Sequence, residues 1–145
     1  MNLNWTYKNF EELTTLELYA ILQLRSEVFV VEQNCVYQDI DNKDLISFHL
    51  MAFEEDILAA YSRILPPGLS FKEVSIGRVI TKPSHRRKGI GITLIEKAIE
   101  VANAKQIKIG AQLYLKKFYE GFGFVQTSKV YLEDGIEHIE MLLNA

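Results

Sequence analysis

Four cations and two glycines crowd one turn of the chain, Thr81-Lys82-Pro83-Ser84-His85-Arg86-Arg87-Lys88-Gly89-Ile90-Gly91, which joins an apolar run to an amphipathic one. A helix opening near Gly89 places Arg86, Arg87 and Lys88 at its N-terminus, where the macrodipole disfavours positive charge by about 0.3–1 kcal/mol each. A bound anion removes that conflict. Glycine lacks Cβ, so backbone N–H groups can approach a phosphate, and the dipole and the cations add attraction. Without an anion, the same residues form a solvated basic loop whose glycines ease a tight turn. Two phosphate-binding designs do not fit. A Walker A loop needs Gly-Lys-Ser/Thr, whereas Lys88 precedes the glycines; a Rossmann turn needs a third glycine where Leu94 stands and an acidic residue near Gly110-Ala111-Gln112.

Other constellations carry less. Asp39-x-Asp41-x-x-Asp44 has the look of a calcium loop, but Lys43, Asp44 and Leu50 stand where an EF-hand requires Asp/Asn, Gly and Glu. It reads as an acidic loop. Cys35 has no His beside it in sequence and reads as a buried thiol rather than a nucleophile. No His or Cys spacing suggests zinc, and no metal is expected. The basic residues gather in one turn rather than along a face, and the pI is below neutrality, which argues against nucleic acid.

The elements that must position the turn follow from pattern. A strand is predicted around Leu3–Tyr7, then a helix opened by the capping box Thr14-Thr15-Leu16-Glu17 and running to about Phe29. Phe48–Glu54 and Ile57–Leu65 flank an acidic turn as a β-hairpin, and a third strand, Glu73–Thr81, follows Pro66-Pro67-Gly68. Ile92, Ile95, Ile99 and Ala102 form a helical stripe. Ile107–Ala111 reads as a buried strand, Leu113–Glu120 as a short helix ended by glycines, and Phe124–Val130 and Ile136–Leu143 as the last strands. A strand, helix, strand succession from Glu73 to Ala111 implies a parallel pair, and the hairpins imply antiparallel ones. The expected fold is α/β (α+β): one domain over residues 1–145, a mixed central β-sheet with helices on both faces.

Composition bounds the setting. The chain has 145 residues, 48% of them apolar, enough for one domain with a substantial core. Lys8, Arg25 and Lys43 are the only bases before Tyr61, against eleven acids, a net of −8, while residues 61–145 carry +5. One Cys forms no internal disulfide, the first residues lack the plan of a signal peptide, and no apolar run approaches a membrane span. A cytoplasmic protein with no membrane partner is the expectation.

Arg86-x-x-Gly89-x-Gly91 resembles the pyrophosphate-binding motif of the GNAT acetyltransferases, Gln/Arg-x-x-Gly-x-Gly/Ala. Phe118-Tyr119-Glu120-Gly121-Phe122-Gly123-Phe124 is similar to that family's Tyr-bearing helix and following strand. Leu24-Arg25-Ser26-Glu27-Val28-Phe29-Val30-Val31-Glu32-Gln33-Asn34-Cys35, followed by Tyr37, Asp41, Asp44 and His49, resembles the ElaA-type branch, as does Asp134–Met141. Together these cover nearly the whole chain.

The resemblance implies an acetyl-CoA-dependent N-acetyltransferase working by direct attack in a ternary complex. Acetyl-CoA would pair along Val79, Ile80 and Thr81, with pyrophosphate cradled by Arg87, Lys88, Gly89, Ile90 and Gly91 and reached by Arg86, Arg87 or Lys88. Tyr119 matches the proton donor to the leaving thiolate; a phenol, with reference pKa about 10, keeps its proton at neutral pH. As a packing residue it would merely sit beside Phe118 and Phe122. Many relatives carry a glutamate base where Val79 stands, which leaves Glu32, His49, Glu73 and His138 as candidates, or a water relay. Imidazole suits neutral-pH proton transfer, though a strand His also serves as a structural hydrogen-bonding residue. The missing glutamate also admits a CoA-binding sensor or interaction module without turnover. The acceptor would be a small-molecule or peptide amine, homodimerisation is compatible with the family, and the acidic half, with Glu32, Asp39, Asp41, Asp44 and the Glu54–Asp56 turn, would steer a cationic amine toward the site.

Overall fold

Two four-stranded sheets meet at one parallel contact and then part. The computed structural model describes residues 1–145. In the first sheet β1 (Asn4–Asn9), β2 (Phe48–Glu54), β3 (Ile57–Leu65) and β4 (Ser75–Thr81) lie in sequential antiparallel order. In the second, β5 (Gln106–Gln112), β8 (Ile136–Asn144) and β6 (Val125–Gln126) lie side by side, and β7 (Tyr131–Glu133) also pairs with β8. The expected parallel pair is reduced to the bridge Val74↔Ile107, with Lys108 N donating to the Val74 carbonyl at 2.9 Å. Beyond it β4 and β5 diverge, and the single mixed sheet opens into two joined ones.

β2 alternates between two apolar layers, as period-2 side chains must, with Leu50 and Ala52 in one and Met51 in the other. On one face α1 (Thr15–Arg25) brings Ile21 and Leu24 against Met51, Leu58, Tyr61 and Ile80. On the other, α2 (Ile90–Ala102) brings Ile90, Leu94, Ile95 and Ala98 against Leu50, Ala52, Ala60 and Ile76 and against Ile107, Ile109, Ile139 and Met141 of the second sheet. The buried stripe of α2 therefore lies beside the predicted one: Ile92 is 53% exposed and Leu94 fully buried, because α2 is clasped by both sheets.

α1 opens with the expected capping box, Glu17 N donating to Thr14 Oγ1 at 3.1 Å and Thr14 N to Glu17 Oε1 at 2.8 Å. Such caps contribute about 1 kcal/mol. The helix then outruns its predicted end by widening into a π-helix over Ser26–Glu32, with i→i+5 bonds such as Gln33 N to Val28 O, 3.2 Å. π-helical turns are rare and concentrate at functional sites. After a 3₁₀ turn, Leu113–Leu115, comes the one-turn helix α3 (Lys116–Glu120). The predicted strand Phe124–Val130 survives only as β6: the Ser128 hydroxyl accepts from Glu140 N at 2.8 Å in place of a backbone carbonyl, which ends the ladder, and β7 follows unforeseen.

Candidate functional site

The divergence of β4 and β5 opens a cleft of about 1070 Å³ walled by Gly77–Thr81 on one side and Ile109–Gln112 on the other. A bulge sharpens it: Tyr61 opposes Ile80 and Arg63 opposes Gly77, so Arg78 and Val79 together face Ser62. Arg78 sits at φ +50°, a left-handed conformation uncommon for a non-glycine residue. Its guanidinium is anchored by Asp39, Nε to Oδ1 at 2.7 Å and a terminal nitrogen to the Asp39 carbonyl at 3.0 Å. Because β4 pairs only with β3 beyond Val74, its cleft-side edge is left with unused backbone groups, an opening for an extended ligand to add as a strand.

At the end of β4 the glycine-rich turn is held by His85, whose Nε2 meets Glu54 Oε1 at 2.9 Å and whose Nδ1 meets Ser84 Oγ at 2.8 Å. Gly89 takes φ +77° with nothing within 4 Å of where a Cβ would stand, so the backbone there is bare. The first N–H groups of α2 have no carbonyl one turn back, so they stand as unspent donors of the kind that suits an anion. Val79, Ile80, Thr81, Arg86 and Gly91 line the cleft; Arg87, Lys88 and Gly89 are exposed between them, while the Ile90 side chain turns into the core. Arg86 is already engaged. It grips Glu32 through both terminal nitrogens at 2.7 Å each and gives Nε to the Thr81 carbonyl at 3.2 Å. This pairing holds Glu32 below the usual carboxylate range and Arg86 above its own. Two free cations, Arg87 and Lys88, remain at the helix end.

Tyr119 lines the cleft at 6% exposure, edge-on to Phe118 and Phe124 at centroid distances of 5.2 and 5.8 Å. Burial, with a smaller contribution from Tyr114, pushes its pKa well above that of a free phenol, and no hydrogen bond contributes. The hydroxyl is a protonated donor without a protein partner.

The base candidates separate by location. His138, on β8, lines the cleft at 7% exposure. Its Nδ1 donates to the Ile136 carbonyl at 2.7 Å, which places the neutral ring's lone pair on Nε2, 3.5 Å from Glu133 Oε2. His49 lies outside the cleft, 1% exposed. Its Nε2–H donates to the Asp44 carbonyl (3.0 Å), so Nδ1 accepts from the Tyr61 hydroxyl (2.6 Å); burial lowers its pKa and both nitrogens are spent on structure. Glu73 precedes β4 and does not line the cleft either. Glu32 lines it but is committed to Arg86.

The acidic loop turns out to be internally neutralised. Asp39, Asp41 and Asp44 alternate with Arg25, Arg63 and Arg78 in a closed ring: Arg25–Asp39 2.9 Å, Asp39–Arg78 2.7 Å, Arg78–Asp41 3.4 Å, Asp41–Arg63 2.8 Å, Arg63–Asp44 2.9 Å and Asp44–Arg25 2.6 Å. Burial alone would raise the Asp41 carboxyl; Arg63, the Lys43 N–H and Arg78 bring it down to about 2. The same competition, won by Arg25 and Arg63, lowers Asp44. The expectation that these aspartates steer a cationic amine is therefore corrected, since their charge is cancelled where it stands. Their role is to fasten the 39–44 loop to α1, β3 and the β4 bulge.

The chain as a whole is similar to known proteins. Residues 12–145 match the model of the acetyltransferase (GNAT) domain. The chain is 43% identical to protein ElaA of Escherichia coli (strain K12), over 96% of this chain and 95% of that one. Among solved structures it resembles an acyl-CoA N-acyltransferase from Pseudomonas aeruginosa (TM-score 0.93, 44% identity, 98% of this chain and 99% of that one) and E. coli ElaA (TM-score 0.91, 41% identity, the same coverage). The chain belongs to the GNAT acetyltransferases, in the ElaA-type branch of that acyl-CoA-dependent acyltransferase family.

Proposed function

We propose that the protein transfers an acetyl group from acetyl-CoA to a primary amine by direct attack in a ternary complex. The observation that carries this reading is the Tyr119 hydroxyl, protonated and unpartnered, in the same cleft as the bare β4 edge and the α2 N-terminus. The pantetheine would pair with Val79–Thr81, and the pyrophosphate would sit on the Arg87–Gly91 amides with Arg87 and Lys88 at hand. Arg86, with three of its five N–H donors spent on Glu32 and the Thr81 carbonyl, would have two left for phosphate.

The neutral amine attacks the thioester carbonyl, forming a C–N bond and an oxyanion. Its collapse breaks the C–S bond. The proton of the resulting ammonium passes to His138 Nε2, whose lone pair is set by the Nδ1–H bond to Ile136 O, and Tyr119 gives its proton to the departing thiolate. Tyr119→Phe tests the assignment. Acetyl-CoA should still raise the melting temperature while amine-dependent CoA release falls by about 100-fold, the lower range for a general acid. Undiminished release would remove Tyr119 from the chemistry.

A further inference from the structure

The end of the cleft around His138 is built from aromatic faces and carboxylates. Tyr131 stacks on the His138 ring with centroids 5.9 Å apart. Its hydroxyl lies 3.1 Å from where a Cβ on Gly110 would stand, with Phe71 at 3.9 Å, so the bare glycine lets this wall pack close. Glu133, Asp134 and Glu140 line the cleft beside it. Glu133 and Glu140 both act on Tyr131, raising its pKa in addition to burial, which gathers their fields at one place.

The charges here differ in what already balances them. Glu140 is paired with Lys108 at 3.0 Å. Arg63 and Arg78, the cleft's other cations besides Arg86 and Lys43, are neutralised within the ring. The Glu133 side chain is 61% exposed and meets only His138, and the Asp134 carboxylate makes no ion pair at all. His138 itself is nine-tenths buried: Nδ1 is spent on the Ile136 carbonyl, and Nε2 makes no hydrogen bond and has only Glu133 Oε2 near it, at 3.5 Å, on the cleft side.

We propose that the acceptor is a short aliphatic diamine or polyamine: one amine reacts beside His138 Nε2 while a second, charged ammonium is held by Glu133 and Asp134 and the methylenes lie along Tyr131 and Phe71. This rests on the acyltransferase reading for the first amine, but the dicationic preference stands on the rim carboxylates. A carboxylate-bearing acceptor, such as an α-amino acid, would instead use Lys43 and the unpartnered Nε–H of buried Arg63. Lys43 already donates to Ser70 Oγ at 2.9 Å, and the charge of Arg63 is spent on Asp41 and Asp44.

The test is calorimetric binding of 1,4-diaminobutane, n-butylamine and 2-aminobutanoate to the CoA-saturated protein, followed by CoA release from acetyl-CoA with the same three. Diaminobutane should bind at least about tenfold more tightly than butylamine, and Glu133→Gln/Asp134→Asn should bring the two within about threefold while CoA affinity is kept. Equal affinity for diamine and monoamine, tighter binding of the amino acid, or a preference that survives in the double variant overturns the proposal. Selective diamine binding without CoA release supports it and instead sinks the transferase reading.

Discussion

The Arg25–Asp44 ring and the Glu133–His138 corner face the same cleft and share residue types, yet they behave as opposites. In the ring, six charges pair with one another at 2.6–3.4 Å, Arg63 Nε being the one buried donor left over, and Arg25 is fully buried. At the corner, two carboxylates and one imidazole nitrogen lack hydrogen-bonding protein partners. Completed polar networks specify structure; incomplete ones, kept at a cleft, are where a ligand completes the set. The charge asymmetry of the sequence inverts accordingly, because the acidic N-terminal half spends its loop aspartates internally while the basic half leaves Glu133 and Asp134 free.

Breaking the ring should give the largest effect. Asp44→Asn leaves Arg25 and Arg63 sharing one fewer anion in the core, and loss of a buried partner costs about 3–5 kcal/mol. Urea unfolding should show this as a lowered midpoint. Where the variant does not accumulate, Asp41→Asn, on the more open side of the ring, should give a smaller loss of the same sign. A change below about 0.5 kcal/mol in both would mean that the ring holds nothing together.

Tyr119→Phe should behave in the contrary way. Its hydroxyl completes no network in the protein, so the fold should be kept, with a stability change within about 1 kcal/mol. Turnover alone should collapse, as described above. A parallel loss of stability and acetyl-CoA binding would place Tyr119 with the ring as a structural group.

Acid should separate the two regions by titration. His49 is held neutral below its ordinary range, so as pH falls through about 6.5 the unfolded chain takes up a proton that the folded one refuses. Stability then declines by up to about 1.4 kcal/mol per pH unit for that one proton. Asp41, depressed to about 2, adds stability that is complete above about pH 4 and is lost as pH falls from there toward 2. Urea midpoints from pH 7 to pH 3 should show both declines, and His49→Gln should flatten only the upper one. Identical slopes in wild type and variant would dissociate His49 from the upper decline.

The two regions also differ in how far local sequence reveals them. The glycine-rich turn was legible because Arg86, Gly89 and Gly91 lie within six residues and one physical conflict, cations on a helix N-terminus, points outward to an anion. The β2–β3 hairpin was legible from two apolar runs around an acidic turn. The ring was not: Asp39 reaches Arg25 and Arg78, which lie 14 and 39 residues away, and only the folded chain sets them side by side. The bulge at Arg78 and β7 were hidden for the same reason, each depending on a neighbouring strand rather than on its own pattern. His49 and His138 look alike in sequence, one His on a strand each. What separates them is that the partners of His49 come from two directions and those of His138 from one.

The smallest effect is the most informative about the corner. Glu133→Gln makes the same carboxylate-to-amide change as Asp44→Asn, but on a side chain that is 61% exposed and 3.5 Å from a single partner, so stability should move by no more than about 0.5 kcal/mol. Differential unfolding of the two variants side by side reads the contrast directly. A cost for Glu133→Gln comparable to that of Asp44→Asn would show that Glu133 is tied into the fold through His138, and the corner would then be a second structural cluster with no charge left over for an acceptor.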